Sequence, residues 1–285
     1  MVKSADSRRH LTDHPGELKV ARTIAIVPTY NESENLLRLV PTLLNQSPSL
    51  EVLVVDDASP DGTGEVADSL AERTDRVQVM HRAGKLGLGT AYLAGFRHAL
   101  DHGYDYVVQM DADFSHRPED MPRLLEAARS ADLVIGSRNI AGGRVENWSL
   151  LRQFVSRGGS FYARKLLKLQ IRDCTSGFKC WRREALEALD LSSVASNGYG
   201  FQVEMNYLCH RAGLGISEVP IVFPDRTAGR SKMSLKICLE AAVLVWKLRS
   251  QPNQLRSGAT TSLERSETPA SHADGRQYEG YGGSR

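Results

Sequence analysis

The amino-acid sequence predicts an α/β fold with a Rossmann-like, mostly parallel sheet that is covered by helices on both faces. Short, continuously apolar runs alternate along the first half of the chain with segments whose apolar residues recur at helical spacing. Strands that are apolar at every position are typical of a parallel sheet buried on both faces. Hydrophobic residues make up 41% and charged residues 25% of the 285 residues. This composition supports a sizeable core and excludes collagen, a disulfide miniprotein and a wholly disordered chain.

Five apolar runs are predicted as strands of this sheet. Each is short, and each gives way to proline, glycine or polar residues, as expected where a buried strand meets a turn. The strands cover residues 23–28, 51–57, 77–81, 104–110 and 133–137.

Four helices are predicted between and after these strands. Their apolar residues recur at helical spacing, and Pro118 suits the first turn of the last one, because a first-turn residue needs no N–H donor. The helices cover residues 35–44, 64–71, 90–102 and 118–130.

The two ends of the chain differ from its middle. Residues 1–22 are polar and aperiodic, without the apolar stretch of a secretory signal. Residues 249–285 are rich in Ser, Gly, Thr, Arg and Glu. Because neither end could bury an apolar face, we expect two disordered tails around one folded domain at residues 23–248.

Charge and cysteine content restrict the partners and the compartment. The 36 Lys and Arg residues against 34 Asp and Glu residues give a net charge of +2, so bulk charge indicates no nucleic-acid partner. The four cysteines show no zinc-binding spacing, and we expect reduced thiols in a reducing compartment. No run of about 18 apolar residues is present in the sequence, so no spanning helix is expected.

Polar residues follow four of the predicted strands, where ligands bind in open α/β sheets. Three of these strand ends carry carboxylates, which repel one another unless a cation or a ligand rich in hydroxyl and NH donors lies between them. The residues concerned are Tyr30, Glu32, Asp56, Asp57, Asp111, Asp113 and Arg138.

The sequence Asp111-Ala112-Asp113 suggests a metal site. Two carboxylates at i and i+2 can hold Mg²⁺ or Mn²⁺, which usually keeps waters and takes further oxygen ligands from substrate phosphates. The alternative is a solvated turn, but the preceding strand and the second acidic pair favour the metal.

Two basic segments could bind phosphate. The loop at residues 223–232 follows an apolar run and carries Arg226 and Lys232, which could fold over a diphosphate. Arg152 and Ser156 lie four residues apart and share one face of a predicted helix. The alternatives are a solvated basic loop and an ordinary amphipathic helix.

A glycine-rich segment at residues 84–90 matches neither a dinucleotide-binding nor a P-loop motif. We interpret it as a turn that enters a helix, with Lys85 as a weak phosphate contact.

Seven short motifs, taken in order, resemble family-2 glycosyltransferases of the dolichol-phosphate (polyprenol-phosphate) mannose synthase group. The resemblance covers about residues 23–235, and it implies the GT-A (nucleotide-diphospho-sugar transferase) fold. It also implies mannose transfer, with inversion, from GDP-mannose to a polyprenyl monophosphate. The motifs lie at residues 26–32, 54–63, 110–116, 136–138, 175–178, 200–205 and 223–232.

The resemblance also implies roles for individual residues, of which Asp113, Arg138 and Arg226 would act in the transfer step. The nucleotide would be held by Pro28, Tyr30, Glu32, Val55 and Asp57. Metal and diphosphate would be held by Asp111, Ala112 and Asp113, with Arg138, Arg226 and Lys232 on the donor phosphates. The acceptor phosphate would be received by Arg138, Arg152 and Ser156. In some relatives a Gln stands where this chain has Ser115, and the serine side chain would be a shorter ligand for the metal.

Such a reaction needs no dedicated base, because a phosphate monoester is already ionised near neutral pH. Glu204 is therefore expected to have a supporting role. A polyprenyl-phosphate glucose synthase that uses UDP-glucose, a transferase with a small hydroxyl acceptor and a noncatalytic nucleotide-sugar-binding module are the alternatives.

The proposed acceptor lies in a membrane, so we expect the chain to work at the cytoplasmic face, on the membrane surface or with a membrane-protein partner. The apolar segment at residues 234–248 is interpreted either as an interfacial or partner-docking helix or as an ordinary core helix.

Overall fold

The computed structural model describes residues 21–225 and 235–250. In the second range, side chains are described from residue 242 onward. The predicted tails lie outside these residues, except at residues 21, 22, 249 and 250. Arg22 donates a backbone hydrogen bond to Asp105 Oδ2 at 2.8 Å, and residues 249 and 250 belong to the last helix.

A seven-stranded sheet forms the centre of the described part of the chain. Its strands are β1 (Thr23–Thr29), β2 (Leu50–Asp56), β3 (Val77–His81), β4 (Tyr106–Gln109), β5 (Leu133–Ser137), β7 (Lys179–Arg182) and β8 (Ile216–Pro220). A separate parallel pair is formed by β6 (Arg144–Val145) and β9 (Val222–Phe223). The five predicted strands are thus confirmed as β1 to β5, with ends that differ by at most two residues.

The order of the strands in the sheet is β3-β2-β1-β4-β7-β5-β8. All neighbours are parallel except at β7, which runs antiparallel to both β4 and β5. The prediction of a mostly parallel sheet is confirmed. Because β7 is reversed, it begins at the edge where the parallel strands end, and the residues just before it lie beside the ends of β4 and β5.

Helices cover both faces of the sheet. They are α1 (Ser33–Leu44), α2 (Thr63–Ala71), α3 (Leu88–Asp101), α4 (Met121–Ala127), α5 (Leu150–Leu167), α6 (Arg183–Ala188), α7 (Gly198–Arg211) and α8 (Leu235–Ser250). The helix predicted at residues 118–130 is shorter, with a 3-10 turn at Pro118–Asp120 before α4. Pro122 has no N–H to donate to the carbonyl of residue 118, which removes one hydrogen bond of a continuous α-helix where the 3-10 turn meets α4.

Two apolar cores lie on the two faces of the sheet, because successive side chains of a strand point in opposite directions. Ile24 and Ile26 of β1 join one core with residues of α3, α5, α6, α7 and α8. Ala25 and Val27 join the other core with residues of α1, α2 and α4.

The last helix, α8, packs against the domain on one side and is exposed on the other. Val245 and Leu248 are buried in the first core, whereas Val243 and Trp246 are 54% and 61% exposed. The buried face agrees with the interpretation as a core helix, and the interfacial or partner-docking interpretation stays a prediction. Among the described residues, no helix combines the length and apolarity needed to span a bilayer.

Candidate active site

A cavity of about 840 Å³ opens at the carboxyl ends of β1, β2 and β4. It brings together seven residues predicted to bind the donor or the metal, which come from three separate strand ends. They are Pro28, Tyr30, Glu32, Asp57, Asp111, Ala112 and Asp113.

The loop after β1 is fixed by side chains of the loop after β2. The N–H of Asn31 donates to Ser59 Oγ at 3.1 Å, and the N–H of Glu32 donates to Thr63 Oγ1 at 3.0 Å. The Glu32 carboxylate accepts a bond of 2.7 Å from Asn35 Nδ2. These bonds hold Tyr30 and Glu32 at the cavity wall.

The acidic pair after β2 divides into two roles. Asp56 is buried and accepts hydrogen bonds from Thr29 Oγ1 at 2.9 Å and from Ser59, so it ties the two loops together. Asp57 lines the cavity, and its Oδ2 accepts the N–H groups of Leu86 and Gly87 at 3.1 and 3.0 Å. Asp57 thereby holds the glycine-rich turn at the cavity.

The glycine-rich turn enters α3, as predicted. Gly87, the residue before the helix, has φ of 101°, a conformation that side chains disfavour. The Lys85 ammonium lies 3.6 Å from the centre of the Tyr30 ring, within range of a cation–π interaction. Lys85 therefore adds a positive charge to a wall otherwise rich in carboxylates.

The two carboxylates after β4 are oriented by different partners. Asp111 Oδ1 accepts the hydroxyl of Tyr92 at 2.9 Å. Burial, together with the nearby charge of Asp111, raises the pKa of Tyr92 well above its usual value, so the phenol stays a donor. Asp113 Oδ1 accepts both the N–H and the hydroxyl of Ser115, at 3.1 and 2.5 Å. The buried Ser115 thus orients Asp113.

Arg138 does not line this cavity. It is buried against Asp173, with 2.7 Å from Nε to Oδ2 and 2.7 Å from its terminal nitrogen to Oδ1. Burial is the largest influence and disfavours the charged form, but the charge of Asp173, its hydrogen bonds with the guanidinium and further nearby charges together raise the pKa of Arg138. Burial is the largest influence on Asp173 and would raise its pKa, but the charge of Arg138 and the hydrogen bonds from Arg138 and Thr175 together lower the pKa.

Arg138 and Arg152 meet at the ring of Trp148. Their guanidinium carbons lie 5.6 and 3.9 Å from its centre, and Arg152 also pairs with Asp225 at 2.5 Å. We name Arg138, Trp148, Arg152 and Asp225 the Trp148 cluster. Ser156 lies one turn beyond Arg152 on α5 and is half-buried, so the three predicted acceptor residues lie beside each other.

The sequence matches glycosyl transferase family 2 over residues 24–190, more than half of the chain. The chain belongs to glycosyl transferase family 2.

Relatives in this family match nearly the whole folded part of this glycosyltransferase. An undecaprenyl-phosphate mannosyltransferase of Micrococcus luteus is 50% identical over 238 residues, which cover 83% of this chain and 98% of the relative. A polyprenol monophosphomannose synthase of Mycolicibacterium smegmatis is 48% identical over 239 residues, which cover 82% and 90%.

A solved structure confirms the predicted GT-A fold. Glucosyl-3-phosphoglycerate synthase from Mycobacterium tuberculosis, in complex with Mn²⁺ and UDP-glucose, superposes with a TM-score of 0.60. The identity is 20%, and the superposition covers 82% of this chain and 81% of the other.

Asp111 and Asp113 of the glycosyltransferase fit a divalent metal. Within residues 21–225 and 235–250, no group of three or more His, Cys, Asp or Glu side chains forms a protein-only metal shell. Asp111 Oδ2 accepts no hydrogen bond from a described residue and belongs to a side chain at the cavity wall. Two carboxylates with room for water and phosphate oxygens suit Mg²⁺ or Mn²⁺.

Two predicted donor residues in the described part of the chain, Val55 and Arg138, do not line the cavity. Arg226 and Lys232 lie outside the described residues. The side chain of Val55 is fully buried in the first core, so a contact of this residue with the nucleotide stays a prediction. Val55 stands one residue before the end of β2, and its side chain packs on the face that α3 covers.

Several residues of the cavity wall escaped the sequence prediction. Leu244, Lys247 and Leu248 of α8 line the cavity, opposite the strand ends. A Cβ at Gly200 of α7 would lie 2.5 Å from Leu244, so the missing side chain makes room for α8. The glycine was a visible signal in the sequence, but its partner in α8 was not.

Glu204 also lines the cavity and is buried. Its Oε2 accepts the backbone N–H of Ser196 at 3.0 Å. The carboxylate therefore fixes the loop that precedes α7.

Proposed function

We propose that this glycosyltransferase moves mannose from GDP-mannose to a polyprenyl monophosphate, with inversion at the sugar. The product, polyprenyl-phosphate mannose, would serve as a lipid-linked sugar donor. The observation that carries the proposal is the 50% identity with an undecaprenyl-phosphate mannosyltransferase over 98% of that relative's length. The carboxylate-lined cavity beside an arginine-rich cluster supports it.

The donor is assigned to the cavity. Tyr30, Glu32 and Asp57 would contact the nucleotide, and Asp111 and Asp113 would hold Mg²⁺ or Mn²⁺ at the diphosphate. The metal would supply positive charge to the leaving diphosphate. Arg226 and Lys232, which follow β9 in the sequence, are proposed to add to that charge.

The acceptor phosphate is assigned to the Trp148 cluster and Ser156. An acceptor phosphate would compete with Asp225 for Arg152, since both are oxyanions. Asp173 orients the guanidinium of Arg138.

In the transfer step, a phosphate oxygen attacks the anomeric carbon from the face opposite the leaving group. A carbon–oxygen bond to the acceptor forms as the bond to GDP breaks, which inverts the anomeric centre. The phosphate is already ionised, so no residue has to remove a proton. We assign Glu204 a positioning role, because its carboxylate already accepts the Ser196 N–H.

We place the enzyme at the cytoplasmic face of the membrane, where the acceptor's lipid tail would lie in the bilayer. Cys174, Cys180 and Cys209 are free and buried, which supports a reducing compartment.

The decisive experiment incubates the full chain with Mg²⁺ or Mn²⁺ and a short, water-soluble polyprenyl phosphate, with GDP-mannose and UDP-glucose supplied separately. The lipid product is identified by mass, its sugar after hydrolysis and its anomer by NMR. We expect mannosyl product with the β configuration from GDP-mannose. Glucosyl product from UDP-glucose alone would favour the glucose synthase, and no transfer from either donor would favour a noncatalytic module.

Two variants test the site in the same assay. Asp113→Asn should abolish transfer, because it removes a carboxylate from the proposed metal site. Glu119→Gln, on an exposed residue in the 3-10 turn before α4, makes the same chemical change away from the cavity and should keep full activity. Equal activity of the two variants would contradict the assignment.

A further inference from the structure

A buried side-chain amide of α7 is held in one orientation by hydrogen bonds that start in the sheet. Trp181 Nε1 donates to Gln109 Oε1 at 3.3 Å, and Gln109 Nε2 donates to Gln202 Oε1 at 2.8 Å. An indole nitrogen can only donate a hydrogen bond, so the first bond fixes which end of each amide is the oxygen. Gln202 Nε2 is thereby left at the far end of the chain of bonds.

The backbone of Gln202 is fixed as well. Its carbonyl accepts a bond of 3.2 Å from Nζ of the buried Lys179. Gln202 lines the cavity although the residue is only 3% exposed. In the part of the chain that the structure describes, no residue accepts a hydrogen bond from Gln202 Nε2. Because a buried donor costs free energy until a partner accepts its bond, this amide indicates a ligand atom.

Gly177, in the segment before β7, leaves a space beside this amide. A Cβ at Gly177 would lie 3.5 Å from Gln202 Nε2 and 3.5 Å from Asp111 Oδ2. All three residues line the cavity, and we name them the Gly177 niche. A ligand group placed over Gly177 would therefore lie beside one hydrogen-bond donor and one acceptor.

This pair of groups suits a hydroxyl. A carboxylate only accepts hydrogen bonds and an amide nitrogen only donates them, whereas a hydroxyl does both. A phosphate oxygen also only accepts, and its charge would be repelled by Asp111 wherever no metal lies between them. An ionised carboxylate has about four lone-pair sites, so Asp111 can hold a metal ion and still accept a bond from a hydroxyl.

We propose that Gln202, within the Gly177 niche, donates a hydrogen bond to a hydroxyl of the transferred sugar. The proposal rests on the proposed function for the identity of the donor. Asp111 is assigned to the diphosphate, to which the sugar is bonded, so a hydroxyl between Asp111 and Gln202 belongs to the reacting end of the donor. Gln202 would then recognise the sugar, whereas Tyr30 and Asp57 would recognise the nucleotide.

The test combines one variant with altered donors. Gln202→Met keeps the length of the side chain and removes the donor group. Gln46→Met is the matched control, since Gln46 follows α1 and its Nε2 donates only to the nearby carbonyl of Thr42 at 3.1 Å. The unaltered chain and both variants are assayed with Mg²⁺, the short soluble acceptor and GDP-mannose, or analogues of GDP-mannose that each lack one sugar hydroxyl.

Thermal melts check the folding of the variants. If Gln202→Met melts earlier than the unaltered chain, Gln202→Glu replaces it, because the glutamate keeps an oxygen for Gln109 Nε2 and loses only the donor nitrogen.

We expect one analogue to lose about tenfold in kcat/KM with the unaltered chain, the factor that a single hydrogen bond gives. Gln202→Met should lose about the same factor with GDP-mannose and little more with that analogue, because both changes remove one and the same bond. Gln46→Met should respond to every analogue like the unaltered chain. In calorimetry with Mg²⁺, the affinity for GDP alone should be unchanged in Gln202→Met.

Equal losses of the unaltered chain and Gln202→Met with every analogue would overturn the proposal, since the two changes would then act independently. A weaker affinity of Gln202→Met for GDP alone would also contradict it, because the amide would then contact the ribose or the diphosphate.

A chain that transfers no mannose would refute the proposed function, and calorimetry would then decide the role of Gln202. Tighter binding of GDP-mannose than of GDP by the unaltered chain, but not by Gln202→Met, would support the contact with the sugar. Equal binding of the two ligands by the unaltered chain would refute it.

Discussion

The guanidinium of Arg138 and the carboxylate of Asp173 are joined by two parallel hydrogen bonds of 2.7 Å each. The backbone N–H of Arg138 donates a third bond of 3.0 Å to the same carboxylate. The two side chains are 5% and 0% exposed, so water cannot solvate either charge. Asp173 thereby fixes both the position and the charge of an arginine proposed to meet the acceptor.

Asp173→Ala should lower the free energy of unfolding by about 3–5 kcal/mol, because it leaves a buried arginine without its partner. Urea unfolding at neutral pH measures this change. Arg129→Ala, at an exposed ion pair with Glu126, is the control and should change stability by less than about 1 kcal/mol. A similar small change in both variants would mean that Arg138 finds another partner.

Lys179 should make stability depend on pH. It is fully buried in β7, its Nζ donates to the carbonyl of Gln202 at 3.2 Å, and burial lowers its pKa to about 7. Above this value the folded chain binds fewer protons than the unfolded chain, whose lysine titrates near 10.5. Stability should therefore rise with pH from about 7 upward.

Melting temperatures of the unaltered chain and of Lys179→Met, compared between pH 7 and about 8.5, test this dependence. Thiols of the unfolded chain ionise near pH 8.5, whereas burial raises the pKa values of Cys174 and Cys209 to about 12 in the folded chain. These cysteines lower stability as the pH rises, and they do so in both proteins. We expect the rise to be smaller in the methionine variant. Parallel curves would show that other groups cause it.

Lys247 of α8 should contribute to substrate binding, because it adds a positive charge to the lining of the cavity. Lys247→Met keeps the length of the stem but removes the charge, and it should raise KM for GDP-mannose or for the soluble acceptor about tenfold. A change in KM for GDP-mannose would indicate that Lys247 contacts the donor phosphates, and a change in KM for the soluble acceptor would indicate that it contacts the acceptor phosphate. Lys247→Arg should recover most of the loss, and equal kinetics of all three proteins would exclude a phosphate contact.

Two glycines should respond in opposite directions to the same substitution. A Cβ at Gly89 of α3 would lie 2.6 Å from the carbonyl oxygen of Ser196, whereas a Cβ at Gly158 of α5 would meet nothing within 4 Å. Gly89→Ala should destabilise by about 1–3 kcal/mol through overpacking. Gly158→Ala should stabilise by about 0.5–1 kcal/mol through helix propensity. Chemical denaturation measures both, and a neutral Gly89→Ala would show that the loop at Ser196 yields easily.

The sequence predicted the parallel part of the fold because each strand of that part is an uninterrupted apolar run. It did not predict β7, whose reversal depends on pairing with β4 and β5, two strands that are distant in the sequence. Asp111 and Asp113 were predictable because they follow a strand directly. Asp173 and Lys247 were not, since their relation to the site arises from tertiary packing and leaves no local pattern.

The cavity is built from two parts of the chain that meet in the folded domain. The match to the family ends at residue 190, yet the walls continue with Ala195–Gly200, Gln202, Glu204 and three residues of α8. The stretch that matches the family supplies Asp57, Asp111 and Asp113, and the later stretch, which also provides β8 of the central sheet, shapes the space left for the substrates. Differences in residues 191–250 between two such enzymes should therefore alter that space while the three aspartates stay in place.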